Sequence, residues 1–294
     1  MSAMAKSSTV PVIRRAVPED APACGRICHQ AFHTLNTQHA FPPDFPTPEA
    51  AIQVLTWMFS HPQFYCVIAE DQGVILGSNC LDERGSQIAG LGPITIEPTA
   101  QNKGVGGKLM QAVLDRANER CFAGVRLIQA AFHCRSLSLY AKLGFAVRES
   151  LAVMQGTPSG ERGEGLSVRT AELSDVESCN ALCRRVHGHD RGGELQDGIK
   201  AGTARVVERA RRIVAYSSGL GFFGHSVAES NQELQALIAA AEQLAGPGIL
   251  VPTRNAALFR WCLESGLRVV EPMSLMTLGM YNEPRGTYLA SVLF

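Results

Sequence analysis

The chain has 294 residues, 46% hydrophobic and 18% charged, with Lys plus Arg and Asp plus Glu each totalling 27. This length favours two folded domains over a single core, and the hydrophobic fraction excludes a disordered chain. The balanced charge gives no long-range attraction to nucleic acid or to an anionic membrane.

In chain order, "IRRAVPEDAPACGRICHQ" from Ile13 predicts a short strand and a helix with Asp20 near its start, where carboxylates are favoured. A proline-rich loop, "AFHTLNTQHAFPPDFPTPEAA", follows and carries His39 and Asp44. "YCVIAEDQGVILGSN" predicts strand, tight turn and strand, leading to Asp82 and Glu83, and "GPITIEP" a further short strand ending at Glu97. "QNKGVGGKLMQAVLDRANERC" reads as a glycine loop opening a helix whose Leu109, Val113 and Ala117 share one apolar face. "HCRSLSLYAKLGF" reads as a helix ended by Gly144 and followed by the strand "FAVRE".

The same order then recurs. "VRTAELSDVESCNALCRR" aligns with the first stretch at a constant offset of 155 (169 − 14), matching Arg169 to Arg14, Asp175 to Asp20, Cys179 to Cys24 and Cys183 to Cys28. "ARVVERARRIVAYSSG" repeats the hairpin, "GHSVAES" the short strand ending at Glu229, and "NAALFRWCLESGL" the glycine-ended helix, with Asn255 facing His133 and Gly266 facing Gly144. The chain therefore reads as two tandem α/β units, 12–157 and 166–294, joined by the Gly- and Pro-rich "QGTPSGERGEG" at 155–165.

Gly104, Gly106 and Gly107 lie just before a helix, whose free N–H groups and positive dipole end suit a phosphate. A Walker loop is excluded because Leu109 follows Lys108 and Asn102 stands where its first glycine belongs. A dinucleotide fingerprint is excluded because Leu109 occupies its third position and the loop follows several strands. The remaining pattern, Gln101-x-x-Gly104-x-Gly106, together with "LYAKLGF" downstream, resembles the GNAT superfamily of acetyl-CoA-dependent N-acetyltransferases.

The resemblance implies a mixed-sheet α/β fold and acetyl-CoA as co-substrate. Backbone N–H groups from Lys103 through Gly104, Val105, Gly106 and Gly107 to Lys108 would hold the pyrophosphate, with Gln101 and Asn102 also on the cofactor side. The strand around Ile94, Thr95 and Ile96 would pair with the pantetheine arm, joined by His133 and Ser136. Tyr140 would protonate the leaving thiolate. The proline-fixed loop and the strand end supply His39, Asp44, Asp82 and Glu83 as candidates for the acceptor side. The general base stays open between Asp82, Glu83 and a water chain; Glu97, at the loop side of its strand, is not assigned. Where relatives place a catalytic carboxylate, this chain has Gly90 and Leu91.

The second unit lacks this equipment. "SNQELQALI" contains no glycine, and Cys262 stands where Tyr140 stands in the first unit. It is expected to be a degenerate copy that completes a cleft, extends the sheet or offers a homodimer surface. The expected function is acetyl transfer to an amine of a small molecule or peptide; the alternative is a non-catalytic acyl-CoA-binding sensor or assembly module. The nine cysteines form no Cys-x-x-Cys pair, so buried reduced thiols are expected rather than a metal. No charged-then-apolar leader opens the chain, and the apolar runs fall short of the roughly 20 residues that cross a bilayer. A cytoplasmic protein is the resulting expectation.

Overall fold

The computed structural model describes residues 11–160 and 163–293, so residues 161 and 162 of the joining segment lie outside the described residues. The first unit runs β1 (Val12–Arg15), α1 (Ala21–Gln38), α2 (Pro48–Ser60), β2 (Phe64–Asp71), β3 (Val74–Asp82), β4 (Ile88–Leu91), β5 (Thr95–Ile96), α3 (Val105–Glu119), β6 (Gly124–Ala130), α4 (Cys134–Lys142) and β7 (Ala146–Gln155). The second runs β8 (Ser167–Thr170), α5 (Val176–His187), α6 (Gly192–Lys200), β9 (Arg205–Arg209), β10 (Arg212–Ser217), β11 (Ser226–Ala228), α7 (Asn231–Ala239), β12 (Ile249–Pro252), α8 (Ala256–Glu264), β13 (Arg268–Gly279) and β14 (Thr287–Leu289). The fold is mixed α/β, as the sequence implies.

The repeat in sequence is a repeat in contacts. Arg14 donates to both oxygens of Asp20 at 2.8 and 2.9 Å and Arg169 to both of Asp175 at 2.7 and 2.9 Å, and each arginine also pairs with a hairpin glutamate, Glu70 or Glu208. Asp20 and Asp175 in turn accept from the backbone N–H of Val17 and Glu172, fixing the turn into the following helix. Cys24, Cys28, Cys179 and Cys183 are all buried in apolar packing beside these clamps. Helices α4 and α8 end alike: Gly144 and Gly266 have φ of +93° and +91°, and the N–H of the next residue, Phe145 or Leu267, returns to the carbonyl of Tyr140 or Cys262.

The sequence boundary does not divide the sheet. The large sheet has the order β1-β2-β3-β4-β6-β13-β7-β12. Strand β13 of the second unit lies between β6 and β7, antiparallel to both, while β7 of the first unit pairs with β12 of the second. Each unit therefore has a strand paired with strands of the other. Such pairing between segments far apart in sequence leaves no local periodicity, which is why the sequence reads as two units side by side.

The exchange is reinforced at the contact surface. Arg84, after β3, chelates Asp82 and also donates to Asp197 of α6 at 3.0 Å, and His61 lies 3.3 Å from the same carboxylate.

"GPITIEP" holds the short strand expected, β5, and a separate strand, β4, comes just before it. Strand β4 pairs in parallel with β6 from Ile88↔Gly124 to Gly90↔Arg126, then breaks at Gly92 and Pro93. The chain resumes as β5, paired only with β3 through Ser78↔Thr95 and Gly77↔Ile96. The first strand pair opens into a V, and Leu127 to Ala130 of β6 run on past the last β4 partner.

Candidate functional site

A cavity of about 770 Å³ occupies this V, within the range of a small-molecule site. Its walls include Leu91 to Ile96 on one arm and Leu127 to Ala130 on the other. At one end lie Gln101, Asn102, Gly104, Gly106 and Gly107, with Arg135 and Ser136 of α4.

The glycine loop has a stereochemical reason. Gly104 adopts φ +80° at the N-cap of α3, in the left-handed region, and Asn102 shares it at +63°. A Cβ on Gly106 would approach Ile96 Cδ1 to 2.8 Å, so the helix start packs closely on β5. No side chain caps this end of α3, leaving its first N–H groups directed into the loop. Gln101 holds the arrangement by donating to the Ile96 carbonyl at 3.2 Å and accepting from Arg135 at 2.8 Å. An uncapped helix start, a left-handed turn and a neighbouring guanidinium are complementary to a phosphate ester. In the second unit the corresponding helix start is closed: Ser230 Oγ accepts the Gln232 N–H at the head of α7.

Tyr140 lines the same cavity with only 7% of its surface exposed, and burial pushes its phenol well above the usual range, so it stays protonated. His133 borders the cavity at the N-cap of α4, without a capping bond from its side chain, and burial and Arg135 lower its pKa. Ser136 Oγ donates to the His133 carbonyl at 3.0 Å. Gln129, which lines the cavity, donates to Ser136 Oγ and to the His133 carbonyl, both at 3.1 Å, while its Oε1 is buried with no partner.

Of the residues the sequence singles out, Ile94, Thr95, Ile96, Gln101, Asn102, Gly104, Gly106, Gly107, His133, Ser136, Tyr140 and Asp44 border one cavity. Lys103, Val105 and Lys108 belong to the loop and helix start without lining it; Val105 is core.

The acceptor-side expectation needs correction. Asp82 is committed to Arg84 at the contact between the units, and Glu83 to Arg116 of α3 at 2.6 Å. Neither lines the cavity, because both serve as counter-ions for packed arginines. His39 is exposed, its ring packed on Phe41 and on Phe132 with centroids 4.4 Å apart in the second pair.

Residues absent from the sequence reading appear at the far end. Glu271 of β13 lines the cavity with 1% exposure, Oε2 unpartnered, and burial together with Asp44 pushes its carboxyl up to about 8. Asp44 is likewise buried, with Oδ1 unpartnered, and burial, partly offset by Asn36, raises it to about 6. Phe222, Phe223, Met273, Val292 and Leu293 complete that end, all from the second unit. The only sequence signal for Glu271 is a carboxylate inside an apolar strand, and only the strand exchange brings it to the first unit.

Residues 30–145 match the family model of the acetyltransferase (GNAT) family. Residues 30–145 read as a GNAT acetyltransferase domain. Its loop, V-shaped strand opening and Tyr140 all fall in or beside that match. In fold, the whole chain is similar to a candidate acetyltransferase from Pyrococcus horikoshii, at 17% identity and TM-score 0.72, with 98% of this chain and 97% of that chain covered. It is also similar to a GCN5-related N-acetyltransferase from Sphaerobacter thermophilus, at 16% identity and TM-score 0.61, covering 93% and 96%. No curated protein matches the sequence significantly. Among the described residues of the GNAT domain and its companion unit, no helix is long and apolar enough to cross a membrane.

Proposed function

We propose that the protein transfers the acetyl group of acetyl-CoA to an amine by direct attack while both substrates occupy the cavity. The observation that carries this reading is the single cavity bordered by an uncapped helix start, an opened strand pair, a protonated tyrosine and two buried carboxylates. In this reading the N–H groups at the head of α3, with Arg135, receive the pyrophosphate. The V between β5 and β6 takes the pantetheine arm, where Gln129 Oε1 offers an acceptor to its amides. Bound acetyl-CoA supplies a thioester carbonyl as the electrophile. Tyr140 gives its proton to the departing sulfur, and much of the acceleration comes from holding the two reactants in line.

The second unit serves as a degenerate copy that closes the acceptor end. Its repeated Arg–Asp clamp, the Ser230 cap where the first unit has its open loop, and the buried Cys262 in place of Tyr140 support that role. A purely binding module would account for the loop, but it has no use for buried ionisable groups around one cavity. The reaction would take place in the cytoplasm.

Calorimetric titration of acetyl-CoA into the full-length protein tests the reading. One equivalent should bind, and binding should be lost in Gly104→Glu, where a side chain must adopt φ +80° at the mouth of the loop. Absence of binding to the unaltered protein would refute the assignment.

A further inference from the structure

The two ends of the cavity differ in chemistry. The loop end is polar. At the other end Asp44, from the segment between α1 and α2, faces Glu271 of β13, near enough for their charges to act on one another. They are 9% and 1% exposed, and each keeps one carboxylate oxygen without a partner. A buried acceptor of this kind is unfavourable until a donor arrives.

The surrounding wall is apolar and aromatic. The Phe45 ring lies 6.0 Å from Phe32 and 6.3 Å from Phe223, and Met58 and Met273 also line the cavity. Arg84, which also borders the cavity, has its guanidinium committed to Asp82 and Asp197. Among the described residues a ligand carboxylate therefore finds no available cation at this end, whereas an ammonium finds two carboxylate oxygens without partners.

The placement of Glu271 is built into the fold. The pairing of β13 with β7 shifts register between Val269 and Glu271, a bulge of the kind that re-aims a side chain. Val269 is 47% exposed while Glu271 is buried. On β4, by contrast, a side chain at Gly90 is sterically blocked by the Leu293 carbonyl.

We propose that the acceptor is a primary amine on an apolar, ring-sized body without a carboxylate, received between Asp44 and Glu271, and that Glu271 is the base that takes its proton. The proposal rests on the acetyltransferase reading and supplies its acceptor and base. Glu271 removes one proton from the bound ammonium and later releases it to solvent. The freed nitrogen lone pair attacks the thioester carbonyl carbon, so that a C–N bond forms. The C–S bond then breaks, the sulfur takes the Tyr140 proton, and the second proton shed by nitrogen restores Tyr140. The products are an acetamide and the free thiol.

Burial keeps the Glu271 proton on, and of the titratable groups bordering the cavity (Asp44, Arg84, His133, Arg135 and Tyr140), Asp44 adds to it by its negative charge. Turnover should therefore rise with pH through a limb near 8.

The test measures thiol release at saturating acetyl-CoA with 2-phenylethylamine, spermidine and lysine as probes, beside acetyl-CoA binding by calorimetry. Expected are a kcat/KM for 2-phenylethylamine about tenfold or more above the other two, and a Glu271→Gln protein that binds acetyl-CoA normally, loses about a hundredfold in kcat and lacks the acid limb. Asp44→Asn should raise KM for the amine more than it lowers kcat. Spermidine or lysine turned over as well as 2-phenylethylamine would overturn the acceptor class. An unchanged kcat and a retained limb in Glu271→Gln would overturn the base. Acetyl-CoA binding without turnover of 2-phenylethylamine would overturn this proposal alone, while absence of acetyl-CoA binding would overturn the acetyltransferase reading beneath it.

Discussion

Gly90 and Leu293 meet backbone to backbone: a Cβ on Gly90 would lie 2.1 Å from the Leu293 carbonyl oxygen. The end of the second unit thus packs on the strand that opens the first unit's cavity, and Val292 and Leu293 become part of the cavity wall. Gly90→Ala has to push this segment away. It should destabilise the protein by on the order of 1–3 kcal/mol, read from urea denaturation, with a larger loss for Gly90→Val. Equal midpoints for Gly90→Ala and the unaltered protein would contradict the contact.

Tyr140 is buried, and its phenol stays protonated across the usual assay range. Tyr140→Phe keeps the ring packed against Phe145 and removes only the proton. Acetyl-CoA affinity should be unchanged, and kcat should fall by about a hundred- to ten-thousandfold. A loss of affinity with intact kcat would make Tyr140 a binding residue instead.

The raised carboxyl of Glu271 makes stability depend on pH in a definite direction. Its folded value of about 8 lies above the ordinary 4.5. Between those values the native state holds a proton that the unfolded chain has released, so unfolding free energy falls as pH rises from about 4.5 to about 8. Asp44, raised to about 6, adds the same slope between about 3.8 and 6. Glu271→Gln should flatten the curve between pH 6 and 8, measured by urea denaturation at fixed pH; an identical slope in the variant would show that Glu271 is not held neutral by burial.

The Arg14–Asp20 clamp gives the opposite sign. Hydrogen bonds from Arg14 hold Asp20 below the usual carboxylate range, so its contribution is full above the unfolded value near 3.8 and is lost as pH falls through the lower folded value. Arg14 is 39% exposed, which solvent screening discounts. Arg14→Met should therefore cost about 1–2 kcal/mol at pH 7 and progressively less toward pH 2. Arg169→Met, at the matching clamp in the second unit, should behave alike. A cost independent of pH would point to lost packing rather than to the ion pair.

The features legible in the sequence are those set by short-range stereochemistry. Gly104 is needed where φ is +80° and Gly144 and Gly266 where the helices end, and the repeat matches Arg14 to Arg169 and Asp20 to Asp175, although their pairing as clamps is seen only in the structure. The place of Tyr140 on the cavity wall is legible because it is fixed along one helix relative to Gly144. That Asp82 and Glu83 stand outside the cavity is not legible in the same way, because a carboxylate's commitment in space, Asp82 to an Arg84 shared with Asp197 and Glu83 to Arg116, leaves no trace in local spacing.

The sequence by itself thus determined the recurring order of elements, the glycine loop of one stretch and its loss from the other, since each depends on backbone torsions within a few residues. Tertiary structure alone decided that β13 enters the first unit's sheet and that Glu271 arrives beside Asp44 at the acceptor end. Strand pairing is specified by the match of two distant edges and the faces they bury, and no single segment carries both halves of that match.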